Sequence, residues 1–140
     1  MVFDPKASPS ERESFMDWYK EQSQWGEGHT YNDPDISTAE LRAWFFDMIR
    51  QYPPMNGPHA PNDVDDPKQT DYAIGKSIIY ACFAWSEAVA AHKATFALAE
   101  KHRVGFFDVS TNNGGVWTPN ESGGYTCVHG QVAPEESNLK

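Results

Sequence analysis

Between residues 71 and 109 the apolar positions change period twice, from alternation to helical spacing and back. Residues 72–74 and 77–83 read as two strands joined by Gly75-Lys76, a two-residue turn with glycine first. In the second strand Ile79, Ala81 and Phe83 share one face, while Ile78, Tyr80, Cys82 and Ala84 share the other. A strand apolar on both faces is expected to be central, covered by helices on at least one side, with Cys82 buried. Residues 86–102 predict an alanine-rich helix capped by Ser86. Glu87 suits its positive end, and Lys101, His102 and Arg103 suit its negative end. The alanines allow close approach to a sheet, with Val89 and Phe96 as the larger contacts. Residues 104–109 return to strand, with Phe106 and Phe107 on opposite faces. Asn113-Gly114 then turns the chain into a short last strand, Gly115-Val116-Trp117.

Upstream, Met1 to Phe3 is a short β-like start ended by Asp4-Pro5. Ser8-Pro9-Ser10-Glu11 predicts a helix opening, with Ser8 as cap and Glu11 completing a capping box. Phe15, Trp18, Tyr19 and Gln22 follow at helical spacing, and Gly26 and Gly28 end the helix. After a turn-forming Asn32-Asp33-Pro34-Asp35, Ser37-Thr38-Ala39-Glu40 gives a second capping box, with Ile36 placed to staple onto Leu41. Leu41, Trp44, Phe45, Met48, Ile49 and Tyr52 recur at i, i+3, i+4, i+7, i+8 and i+11, the clearest amphipathic helix in the chain. Pro53-Pro54 ends it. Residues 53–70 form a long loop made acidic by Asp63, Asp65 and Asp66, with Asp71 just beyond.

The predicted order is β-α-α-β-β-α-β-β. Without the first helix and the last strand it is β-α-β-β-α-β, the split-βαβ pattern. The expected fold is therefore α+β. It is a ferredoxin-like antiparallel sheet with helices on one face, an extra N-terminal helix and a C-terminal hairpin strand. One domain spans residues 1–118, and residues 119–140 read as an irregular tail.

Composition narrows the function classes. The net charge of −9 and pI near 4.8 disfavour nucleic acid, whose phosphates would be repelled, and suit a basic partner. No apolar run reaches the roughly 20 residues of a membrane span, and the start of the chain does not read as a signal peptide. Two cysteines make no disulfide framework, so a reduced, cytoplasmic protein is expected. At 14% the aromatics are abundant, and five tryptophans are many for one small core to bury.

Candidate chemistry is thin. The five histidines are widely spaced, and His92, on the stripe between Val89 and Phe96, reads as a hydrogen-bonded core residue. His29 with Asp33 and Asp35 is a weak cation cluster. Residues 62–66 lack the glycine and closing glutamate of a calcium loop. Cys82 has no implied base, and Cys127 with His129 lies in the predicted tail. No catalytic residue, metal or cofactor is expected. What remains is an interaction surface of acids and rings: Asp33, Asp35, Asp63, Asp65, Asp66, Asp71, Tyr72 and Trp117.

Several runs carry a resemblance. They are Leu41-Arg42-Ala43-Trp44-Phe45, Tyr52-Pro53-Pro54-Met55-Asn56-Gly57-Pro58, Thr70-Asp71-Tyr72, Ile79-Tyr80-Ala81 and Phe83-Ala84-Trp85-Ser86. Leu98-Ala99-Glu100-Lys101-His102, leading to Val104-Gly105-Phe106-Phe107-Asp108-Val109, completes the set. Over residues 1–118 the chain resembles small bacterial proteins similar to the immunity proteins of polymorphic or contact-delivered toxin systems. Members of that group tend to carry glycine at the position of Arg103. The resemblance implies a cytoplasmic protein, not an enzyme, that binds a cognate toxin, a basic protein domain, and occludes its active surface. Two other readings are open: a small enzyme with its site between the sheet and the 53–70 loop, using Asp71, Tyr72, His92 or Asp108, and a self-associating homodimer.

Overall fold

The structure, a computed structural model, describes residues 1–55, 57–61, 66–109 and 114–129. Among the described residues, six strands form one antiparallel sheet in the order β2-β3-β1-β4-β5-β6. Its members are β1 (Val2–Phe3), β2 (Asp71–Ile74), β3 (Ile78–Cys82), β4 (Gly105–Phe107), β5 (Val116–Pro119) and β6 (Tyr125–His129). Three α-helices are seen among the described residues: α1 (Arg12–Gln22), α2 (Ala39–Met48) and α3 (Ala88–His102). The fold is mixed α+β. No helix among the described residues is long and apolar enough to cross a membrane.

The shortest strand is central. Val2 stands opposite Ile79 on one side and Phe106 on the other, and Phe3 opposite Ile78 and Gly105. Alternation then divides the sheet into two apolar faces. Val2, Ile79, Phe106 and Tyr72 meet the stripe of α2, where Leu41, Trp44, Phe45 and Met48 are buried, together with Ala91 and Ala99 of α3. Phe3, Ile78, Phe107 and Val116 face the other way, onto Phe15, Trp18 and Tyr19 of α1. Helices on one face only is thus corrected: α1 covers the second face. Its three-ring stripe is needed there, because a bare face with Phe3, Ile78 and Phe107 would expose a large apolar area.

Local starts and turns shift by a few residues where tertiary contacts compete. The helix predicted from Ser8-Pro9 begins at Arg12, and Ser8 Oγ donates to Pro5 O instead of capping. Thr38 does cap α2, its Oγ1 accepting from Leu41 N at 3.3 Å, while Ser37 Oγ turns away to Gly75 O at 2.6 Å. That bond holds the hairpin. Gly75 pairs with Ile78 through Gly75 N to Ile78 O, so the turn is Lys76-Ser77, one residue later than expected. Before α3 the chain makes a 3-10 turn over Trp85–Glu87, and no side chain caps the helix.

The stripe of α3 is also rotated from expectation. Ala91, Thr95 and Ala99 are buried, whereas Val89 is 73% exposed. Small residues let α3 lie close against α2, as Trp44 Nε1 donates to Thr95 O at 3.3 Å. At the far end Asp47 of α2 accepts from His102 Nε2 at 2.6 Å and Lys101 Nζ at 3.0 Å. The His102 bond, then the Lys101 bond, hold its carboxyl below the usual 3.8. A carboxyl lowered in the folded state stabilises above its unfolded value and loses that stabilisation as pH falls through its folded value. Asp47→Asn should therefore lower the melting temperature at pH 7 and have progressively less effect toward pH 2.5, which thermal melts at both values will show.

Two further features come from the same end of the molecule. Arg103 takes the left-handed conformation, φ 59°, that glycine would adopt freely after a helix. Its guanidinium donates to Asn120 O and to Gly124 O in the β5–β6 turn, which offsets the backbone cost. The expected irregular tail is corrected over residues 125–129, which form β6 and pair with β5 from Val116 to Pro119. Tyr125 anchors it: the hydroxyl donates to Val104 O and the ring packs on Phe96. Residues 130–140 lie outside the described residues.

Candidate functional site

A cavity of about 420 Å³ opens where β3 and β4 run out and α3 begins. One wall is the end of the hairpin strand, from Ile79 to Phe83. A second is Phe106 to Val109, and the third is the flank of α3 presented by Ala88, His92 and Thr95 at i, i+4 and i+7. Trp44 closes the floor and Trp85 lines the opening. Trp85 is 95% exposed, which no packing requirement of the fold explains.

The polar groups around this cavity are few. The Met1 amine is buried and donates to Phe107 O at 3.1 Å. Burial lowers it to about 6 against the raising influence of the nearby Asp108 carboxylate. His92 is exposed, its ring edge-on to Phe106 at 5.4 Å, so the core histidine expected here stands at the cavity instead. Cys82, expected inside, is exposed at the last position of β3. Partial burial, then the charge of Asp71 opposite it in the hairpin, push its thiol up. A raised thiol is a poorer nucleophile at neutral pH. Thr95 is already used, its hydroxyl donating to Ala91 O at 2.7 Å.

The residues expected to bind a partner are dispersed. Asp33 accepts from Asp35 N and starts the 3-10 turn at Pro34–Ile36, with Asp35 exposed beside it. Asp66 likewise accepts from Lys68 N at 2.9 Å. Asp63 and Asp65 lie outside the described residues. The two acidic loops do meet, because Gly57, at φ +90°, packs so closely on Asn32 that a Cβ would fall 2.8 Å from the Asn32 Cβ. Asp71 is exposed at the cavity end of β2, away from that junction. Tyr72 is corrected outright: it is 4% exposed and its hydroxyl donates to Tyr52 O at 2.7 Å, so it offers no surface. Trp117 is half-buried against Phe96.

The suggested cation cluster at His29 takes another form. His29 Nε2 bonds Glu27 Oε1 and Nδ1 bonds Thr30 O, both at 2.6 Å, which raises its pKa, the Thr30 bond contributing most. Glu27 also accepts from Lys76 N, tying this loop to the hairpin turn. Among the described residues no three His, Cys, Asp or Glu side chains gather as a metal ion would require.

Sequence reasoning counted Trp85 among five tryptophans too many for one core to bury but gave it no place among the candidate site residues. Its signal is the Phe83-Ala84-Trp85-Ser86 junction, where a large ring stands between a strand and a helix with no periodic partner. Fold and cavity together define the class: a small α+β protein with an apolar pocket at one end of its sheet and an exposed indole at the opening. Comparison with known proteins found no matching family model, no matching curated protein and no matching solved structure.

Proposed function

We propose that this protein acts in the cytoplasm by binding another protein, as an immunity-type protein that occludes the active surface of a cognate toxin domain. One observation carries the binding part of this reading. Trp85, with Val89 nearby in sequence, leaves a large apolar surface in water next to a cavity, the usual form of an interface anchor. The net charge of −9 favours a basic partner, and the sequence resemblance supplies the toxin. The strand order β2-β3-β1-β4 supports reading the first four strands, with α2 and α3, as a ferredoxin-like split-βαβ unit carrying α1 and the β5–β6 hairpin as additions.

Co-purification with the product of the adjacent gene tests the partner. If that product is not a toxin and does not bind, the reading fails. Trp85→Ala tests the surface: the melting temperature should stay within about 2 °C, because the ring packs on little, while affinity for the partner falls at least tenfold. Unchanged affinity would move the interface elsewhere.

The enzyme reading keeps one specific support, since His92 and Asp108 do share the cavity, with Cys82 beside them. Its site would be this cavity rather than the 53–70 loop. A His92→Ala/Asp108→Asn variant that protects cells from the toxin as well as the unaltered protein would sink it.

A further inference from the structure

We propose that the loop from Glu27 to Tyr31 is a proton-operated latch on the β2–β3 hairpin: charged His29 holds it closed, and loss of the proton loosens it. The proposal goes beyond the partner-binding reading and does not depend on it. The geometry around the ring carries it. His29 Nε2 lies 2.6 Å from Glu27 Oε1, and Nδ1 lies 2.6 Å from Thr30 O. Carboxylate and carbonyl oxygens only accept, so both ring nitrogens must carry hydrogen to make these two bonds. The imidazolium does; a neutral ring keeps one bond and turns a lone pair toward the other oxygen. The Tyr31 ring, its centroid 4.4 Å from that of the imidazole, adds to the preference for the charged form.

An ion pair this open to water, with side chains 26% and 29% exposed, would by itself contribute little. What makes it a latch is where the carboxylate is tied. Glu27 Oε1 also accepts from the backbone N–H of Lys76 at 3.1 Å, in the hairpin turn, and Glu27 N donates to the Tyr31 hydroxyl at 2.6 Å. The Tyr31 carbonyl in turn accepts from Ile74 N at 2.9 Å, at the end of β2. One proton on His29 therefore fixes the carboxylate that bonds the turn. From other elements, Gln22, Ile36 and Ser77 bring no charge to the hollow beside the pair, while Lys76 brings one that opposes the imidazolium. The bonds to Thr30 and then Glu27 outweigh it, and the His29 pKa is raised from 6.5. A histidine raised in this way stabilises the folded state below its unfolded value, and the stabilisation is lost as pH rises through the folded value. The latch is closed on the acid side of that transition and loosens on the other.

NMR titration of the full chain tests the latch. The His29 ring should titrate above 6.5, and the Lys76 amide resonance should move with the same midpoint. Solvent exchange of the Lys76 and Ile74 amides, corrected for its intrinsic pH dependence, should quicken about tenfold across that transition. The Gly75 amide, bonded to Ile78 O within the hairpin, should keep its protection. Glu27→Gln should bring the His29 midpoint down, and His29→Gln should abolish the pH dependence at Lys76 and Ile74. A ring that titrates at or below 6.5 would overturn the proposal. So would unchanged protection of either amide, or a Glu27→Gln variant that keeps the midpoint. The titration of the unaltered protein decides even if a variant misfolds.

Discussion

Gly105→Ala should cost about 3 kcal/mol of folding stability, an unusual sign and size for a glycine in a strand. Exchanging a strand glycine for alanine ordinarily helps by roughly 0.5–1 kcal/mol, because glycine loses more backbone freedom on folding. Here the glycine sits opposite Phe3 in the β1–β4 register, and the ring lies so close that a Cβ would clash with its Cζ, Cε1 and Cε2 carbons. The ring has nowhere to go. Phe3 is wholly buried, with the Phe15 ring edge-on at 5.2 Å and Trp18 at 5.9 Å, and Phe15 is equally buried. Chemical denaturation will measure the loss. Pairing the change with Phe3→Leu should recover part of it, since the smaller side chain makes room, and that non-additivity separates a steric clash from a general strand effect. A Gly105→Ala protein as stable as the original would show that the ring does not cover this position.

Trp44→Ala should be comparably damaging, at about 3–5 kcal/mol. Trp44 is fully buried between α2 and the sheet, with Tyr72 edge-on at 6.3 Å, and its indole N–H closes α2 onto α3 through Thr95 O. Truncation removes the largest side chain of the core and also opens the floor of the cavity beneath Trp85. Trp44→Phe keeps most of the packing and loses the bond, so it should cost about 1–2 kcal/mol. Denaturant melts of both variants give the division between volume and hydrogen bond. A small loss for Trp44→Ala would mean that α2 and α3 close over the gap. Trp85→Ala is the internal contrast, the same residue type with almost no packing to lose.

That contrast marks how far local pattern reaches. Leu41, Trp44, Phe45 and Met48 were legible as one buried stripe, since their spacing is that of a helix face and no tertiary contact competes with it. The alternation of Ile78 to Cys82 correctly put Ile79 and Ile78 on opposite faces of β3. It did not show that Cys82 lies past the cover, because periodicity orients a side chain without telling where the covering helix stops. In α3 the alanines made almost any face look apolar. Val89 and His92 were therefore assigned inward, when Ala91, Thr95 and Ala99 are the buried positions. Asp33 and Asp66 do lie in loops, yet each accepts a backbone amide in its own turn, Asp71 belongs to β2, and Tyr72 is interior.

Period, turn chemistry and composition thus specified the α+β class, most element types and an acidic surface, all of which depend on residues near one another in the chain. The choice of α1 for the second face, the ring of Phe3 over Gly105 and the anchoring of Tyr125 on Val104 depend on residues brought together from distant segments. So does the cavity. It exists because β3 and β4 end where α3 begins, and Trp85 is its rim only because 20 residues on, the chain returns as β4 beside β1. Contacts of that range carry no signature in local spacing, since their free energy is realised only when both partners have already folded.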